Sequence, residues 1–190
     1  MIKEAKTQHP VHDLISKRWS ARSFSDKKIT NEQVLTLIEA ASWAPSSMNE
    51  QPWHYTYALH GTEGFQKLFD LLSVGNQIWC KEGGALMMCT AKKKFTKNGE
   101  QNRHYMHDTG MANANLLTQA LSMGIYCHIL GGFDRLKTNE AFNISDDEEE
   151  VVCFIVAGYL DSPEKLEEPF KTRELTPRSR KPLSEVGKLI

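Results

Sequence analysis

The sequence predicts an α+β protein, a sheet covered by helices. Three features of the pattern carry that expectation. Segments with helical periodicity alternate with short strand-like runs, the order that layered sheet-and-helix domains show. The alternation is less regular than strict strand–helix–strand repetition. No glycine-rich turn joins a first strand to a first helix, which disfavours a doubly wound nucleotide-binding fold.

Each element has a local reason. Pro10 can occupy a first helical turn, and Val11, Leu14 and Ile15 then make a short apolar stripe. Thr30 opens a clearer helix: Thr30 and Gln33 have capping-box spacing, and Val34, Leu37, Ile38 and Ala41 recur at helical intervals. Ala44-Pro45 stops it. HYTYAL, 54–59, alternates like a strand, and Thr62 caps a helix with Phe65, Leu68, Phe69 and Leu72 on one face. ALMMCTA, 85–91, reads as a buried strand, and KKKFTKNGEQNR as a polar loop. The longest helix is predicted from about 103 to 123, closed by Gly124. IYCHIL is a short strand ending at Gly131-Gly132, Leu136 to Phe142 a short helix, and VVCFIVAGYL, 151–160, the strongest strand. Asp146 to Glu150 is an acidic loop. The last 30 or so residues carry four prolines, many charges and little periodicity, and read as an extended arm that needs something to pack on, a second subunit by preference.

Composition bounds the function. A chain of 190 residues with 40% hydrophobic content and a net charge of -1 suits one globular domain and argues against general nucleic-acid binding. Cys80, Cys89, Cys127 and Cys153 form no CxxC pair, which suggests a reducing, cytoplasmic setting. The polar start MIKEAKTQHP gives no signal peptide, and no apolar run approaches the roughly 20 residues of a membrane span, so no membrane role is expected.

Four segments carry possible chemistry. In RWSARSF, 18–24, an extended backbone projects Arg18, Ser20 and Arg22 to one face, two guanidinium forks and a hydroxyl suited to a phosphate. Two solvated surface arginines are the plainer alternative. APSSMNEQPWH, 44–54, is a rigid polar loop offering backbone and amide groups, or simply a connection built on Asx and Ser turns. In GGFD, 131–134, adjacent glycines permit close approach of a ligand to the backbone, or make a plain turn. PRSRKPL, 177–183, alternates Arg178 and Arg180, or is a basic tail. His104 and His107 in HYMHD could share a metal, but no HExxH is present and helix-surface histidines account for them better, so no metal is expected.

Together these segments resemble the nitroreductase family of FMN-dependent NAD(P)H oxidoreductases. RWSARSF resembles that family's RxSxR signature, APSSMNEQPWH its PSSxNxQPW loop, GGFD its glycine turn and RSRKPLSEV its C-terminal basic segment, in order over roughly 11–187. The resemblance implies a mixed central sheet flanked by helices in one domain, 1–190. It further implies an intertwined homodimer in which 161–190 is an arm on the partner subunit and FMN lies at the interface. Arg18, Ser20 and Arg22 would hold the phosphate and pyrimidine edge, with Arg178 and Arg180 reaching the phosphate. Trp19 belongs to the same cofactor-binding segment but stands at a variable position, with no role of its own. Pro45, Ser46, Ser47 and Asn49 would line the flavin from the partner chain. Gly131 and Gly132 would offer N–H groups near flavin N5 and O4, and Asn76, in VGNQIW, would bond the pyrimidine ring by a looser match. Asp108 and Gly110 resemble a structural pattern of the family. The implied reaction moves hydride from NAD(P)H through flavin N5 to a small conjugated acceptor, a nitroaromatic, a quinone or similar, in two half-reactions without a catalytic side chain. A flavin-binding protein with little turnover is the alternative. KKKFTKNGEQNRHYMHD stands where longer members carry a larger insertion over the active site, which leaves the acceptor open.

Overall fold

The computed structural model describes residues 3–190. Its centre is a four-stranded sheet of β1 (Trp53–Leu59), β2 (Ala85–Lys92), β3 (Tyr126–Leu130) and β4 (Glu149–Gly158), in the order β1-β2-β4-β3. Every pair is antiparallel, so among the described residues the sheet is not the mixed one expected. The reason lies in the insertion of β4. The long helix α5 (Tyr105–Ser122) carries the chain from β2 to β3, and these strands run the same way. β4 then enters between them in the opposite direction and pairs with both.

Both faces of the central strands are covered, and their alternation sorts the core into two layers. Leu86 and Met88 of β2 and Phe154 and Val156 of β4 pack with Phe65, Leu68 and Trp79 of α3 (Glu63–Phe69) and α4 (Val74–Cys80). Met87, Cys89, Cys153 and Ile155 face the other way, onto Val34 and Leu37 of α2 (Asn31–Ser42) and Ala112 and Leu116 of α5. The capping box that predicts α2 is present: Gln33 N–H donates to Thr30 Oγ1 at 3.2 Å and Thr30 N–H to Gln33 Oε1 at 3.0 Å. α5 closes as expected before Gly124, whose φ of +71° a residue with a side chain rarely adopts.

Three elements differ from expectation. α1 is one turn, Asp13–Ser16, so Pro10 lies outside it, and His12 Nδ1 caps it by accepting from Leu14 N–H. α4 carries no visible apolar period because only Trp79 and Cys80 are buried, at its C-terminal end. The C-terminal segment does not extend freely over its whole length. After α6 (Arg135–Phe142) and β4, helix α7 (Phe170–Leu175) folds back and buries Phe170 and Glu174 on its own chain. Beyond it, α8 (Leu183–Val186) and the last residues are exposed. No helix among the described residues is long and apolar enough to cross a membrane.

Candidate functional site

The segment Arg18 to Phe24 is extended and docks along the end of β4. Ser25 N–H donates to Tyr159 O, Asp161 N–H donates to Ser23 O, and Phe24 bridges to Leu160. Phe24 lies so close to Gly158 that a Cβ there would sit 2.5 Å from its ring. Alternation does what the sequence pattern requires: Trp19, Ala21 and Ser23 are buried, while Arg18, Ser20 and Arg22 are half-exposed on the opposite face. Trp19 is therefore the departure within this segment. Its indole points inward against Tyr126, with ring centres 4.6 Å apart, and its Nε1–H donates to Glu174 Oε1 at 2.9 Å.

Arg22 opens into a cleft of about 320 Å³ lined also by Ser73, Asn76, Trp79, His128 and the Gly131-Gly132 turn. The turn is fastened at one carbonyl: Gly132 O accepts from Ser73 N–H at 3.0 Å and from Asn76 Nδ2 at 2.9 Å. A Cβ on Gly132 would lie 2.7 Å from Ser73 Oγ and 2.8 Å from Asn76 Nδ2, whereas one on Gly131 would meet nothing within 4 Å. The Arg22 guanidinium lies over Trp79, 5.7 Å from the ring centre, and Nη1 is 3.8 Å from Glu174 Oε2. Burial lowers the Arg22 pKa from its ordinary value, Glu174 opposes the shift, and Arg173 adds to it. His128 also packs against Trp79, with ring centres 4.6 Å apart and planes tilted by 32°, and its Nδ1 is 3.0 Å from Ala21 O. Nδ1 must be the protonated nitrogen there, since a carbonyl only accepts. Burial, with Arg22 and Arg18 nearby, pushes the His128 pKa down to about 4 despite that bond.

Arg18, Arg178 and Arg180 form a second group. Burial lowers the pKa of both Arg18 and Arg178, and the three charges push one another further: Arg180 on Arg18, and Arg18 and Arg180 on Arg178. Arg178 is anchored by donating to Ser16 O at 2.6 Å and Lys3 O at 3.1 Å. None of the three forms an ion pair among the described residues. Neighbouring cations without a carboxylate favour an anion between them.

Pro45, Ser46, Ser47 and Asn49 do not line this cleft. They precede β1, at the sheet edge opposite β3. Their loop is held in an unusual shape, with Met48, Asn49 and Gln51 all at φ of 50–55°. Asp108 of α5, 2% exposed, accepts from Ser47 N–H at 2.9 Å, and Ser46 Oγ accepts from Gln51 N–H at 3.0 Å. Asp108 thus ties the loop to α5. His107, next to it, contacts its carboxylate at 3.1 Å. Sequence reasoning missed Ser73, Trp79, His128, Arg173 and Glu174. Only the aromatic Trp79 lay within a segment already singled out, and Glu174 carries no local signal at all.

The model of the Nitroreductase family matches residues 15–78 and 72–159, and the chain belongs to that family. A protein of Archaeoglobus fulgidus provisionally named NADH dehydrogenase/NAD(P)H nitroreductase is 30% identical over 146 residues, 76% of this chain and 81% of the relative. An oxygen-insensitive NADPH nitroreductase of Helicobacter pylori is 24% identical over 180 residues, 76% of this chain and 85% of the relative. Among solved structures, an oxidoreductase containing FMN superposes with a TM-score of 0.90 at 30% identity, covering 96% of this chain and 93% of that one. A nitroreductase family protein of Streptococcus pneumoniae shares the fold, with a TM-score of 0.74 at 23% identity over 94% of this chain and 98% of that one. The family match ends at 159, so Arg178 and Arg180 lie beyond it.

Proposed function

We propose that this chain is an FMN-dependent oxidoreductase that uses NAD(P)H to reduce small conjugated acceptors such as nitroaromatics or quinones. One observation carries the reading: residues far apart in sequence, Arg22, Asn76 and Gly131-Gly132, line one cleft, and a separate group of arginines, 18, 178 and 180, has no ion-pair partner among the described residues. The residues fit the group. The volume of about 320 Å³ falls within the usual range for small-molecule sites. Gly132 sits where a side chain would collide with Ser73 and Asn76, while open space next to Gly131 lets a planar ring approach the backbone. Membership of the nitroreductase family and the likeness to an FMN-containing oxidoreductase support the same group.

When bound, FMN supplies the redox chemistry, relaying hydride from a nicotinamide to the acceptor. The chain supplies position and field. Arg18, Ser20, Arg178 and Arg180 hold the phosphate by charge-assisted hydrogen bonds. Arg22 and Asn76 hold the pyrimidine edge, where a guanidinium favours negative charge. The turn offers backbone N–H groups to the ring. The working molecule is a homodimer of single-domain subunits. Pro45, Ser46, Ser47 and Asn49 of one subunit close the cleft of the other, and the exposed end of 161–190 packs on the partner. Exposed Trp43 beside that loop and Met48 within it, and Val186 and Leu189 in the tail, are the apolar surfaces such a dimer would cover.

The deciding experiment is an absorbance spectrum of the purified protein under nitrogen, before and after NADH and then NADPH. Yellow protein that bleaches supports the enzyme and names the donor. Yellow protein that never bleaches indicates a flavin-binding protein without turnover. Colourless protein that takes up no added FMN refutes the reading. Arg22→Ala should weaken FMN binding by about 1.5–3 kcal/mol, the worth of a hydrogen bond to a charged group; stoichiometric retention of FMN would count against its placement.

A further inference from the structure

We infer that Glu174, in the C-terminal helix α7, is a positioning residue that sets both the direction and the effective charge of Arg22. The inference rests on the cleft being the flavin site proposed above. The carboxylate is 6% exposed, so it has given up most of its hydration, a state that needs a donor or a cation nearby. It has one of each. Oε1 accepts from Trp19 Nε1–H at 2.9 Å. Oε2 has no hydrogen-bond donor among the described residues and lies 3.8 Å from Arg22 Nη1. At that distance the attraction is Coulombic without a direct hydrogen bond. The indole thus clamps one oxygen and leaves the other aimed at the guanidinium.

Arg22 correspondingly has two neighbours that attract its charge, the Trp79 ring at 5.7 Å and this carboxylate. The arrangement explains why Trp19 stands inside an arginine-rich segment yet faces away from the arginines. It serves the cleft indirectly, through Glu174. It also has an electrostatic consequence. Arg22 with Glu174 carries less net positive field into the cleft than Arg22 alone, and a ligand edge that gains negative charge is stabilised less. Lys3 and Arg173 also bear on these two residues: Glu174 raises the Lys3 pKa against a larger lowering by burial, and Lys3 Nζ donates to Arg173 O at 3.0 Å. Neither forms an ion pair with Glu174 among the described residues.

The test is a potentiometric titration of the FMN-loaded full chain, wild type against Glu174→Gln. The glutamine keeps the size and an oxygen for Trp19 but removes the charge. The midpoint potential should shift to a more positive value, while a merely structural role would alter thermal stability and leave the potential in place. An unchanged potential overturns the inference. Should that variant not fold, Trp19→Phe keeps the carboxylate and frees it; FMN affinity should then fall several-fold, and unchanged affinity overturns the inference. Should the wild type take up no FMN, the functional reading itself fails. The same question is then read from the Arg22 Nε–H resonance of the protein without added ligand. It should move and exchange faster with solvent in Glu174→Gln, and an unaltered resonance overturns the inference.

Discussion

Replacing the two adjacent glycines of the cleft one at a time should give opposite results. Neither has a positive φ, so alanine is conformationally acceptable at both. At Gly132 the new methyl would lie 2.7 Å from Ser73 Oγ and 2.8 Å from Asn76 Nδ2. Both atoms end short side chains and can swing away, but Asn76 does so only by giving up its 2.9 Å bond to Gly132 O. That bond is worth about 1 kcal/mol, and an off-rotamer side chain costs roughly another 0.5–1.5 kcal/mol. The reduced freedom of the unfolded chain returns about 0.5 kcal/mol. Gly132→Ala should therefore lose about 1.5 kcal/mol, whereas Gly131→Ala, with nothing to meet, should gain about 0.5 kcal/mol. A difference of about 2 kcal/mol between neighbours separates the melting temperatures by roughly 4–8 °C in a chain of this size. Urea and thermal unfolding of the two variants measure it. The binding results should invert this order in part: Gly131→Ala keeps its stability but places a methyl in the cleft, so it should still lose FMN affinity. Equal stability of the two variants, within about 0.5 kcal/mol, would refute the idea that close packing at Gly132 O shapes the turn.

Three further outcomes follow from the same geometry. His128 stays neutral when folded to about pH 4, whereas unfolded it takes up a proton near 6.5. Its effect on stability is therefore nil above pH 6.5 and grows unfavourable as pH falls toward 4, reaching about 3 kcal/mol by linkage. Urea unfolding at pH 7 and pH 4 should show a smaller loss of stability in His128→Gln than in the wild type; equal losses would contradict it. Asp108→Ala removes a buried charged acceptor from Ser47 N–H, with an expected cost of about 2 kcal/mol. Hydrogen exchange across 46–51 should speed up, and unchanged protection would show that the loop holds itself. Thr30→Ala breaks the capping box of α2 and should cost about 1 kcal/mol in unfolding experiments, without changing the cleft.

Much of this protein is legible in the sequence, because local rules act over few residues. The capping box of Thr30 and Gln33 fixes the start of α2, Gly124 the end of α5, and the apolar runs of β2, β3 and β4 their burial. Period-two alternation alone places Arg18, Ser20 and Arg22 on one side of an extended segment, and the structure keeps them there. Alternation also dictates that Trp19 turns inward, and what it finds there is not local. Its partner Glu174 is 155 residues away. The same holds for Asn76 and Gly132, 56 apart, and for His128 and Ala21, 107 apart. The antiparallel sheet likewise depends on β4 entering between β2 and β3, which no pattern inside β4 announces. The short helix α4 and the fold-back of α7 bury too few side chains to leave a periodic trace, only Trp79 with Cys80 and Phe170 with Glu174. The sequence by itself determined the elements, the arginine face and the family resemblance, since side-chain size, charge and backbone period settle those locally. Only the tertiary structure decided which carboxylate faces which guanidinium and which carbonyl fastens the turn, because those pairings are chosen by burial and chain closure between residues far apart in sequence.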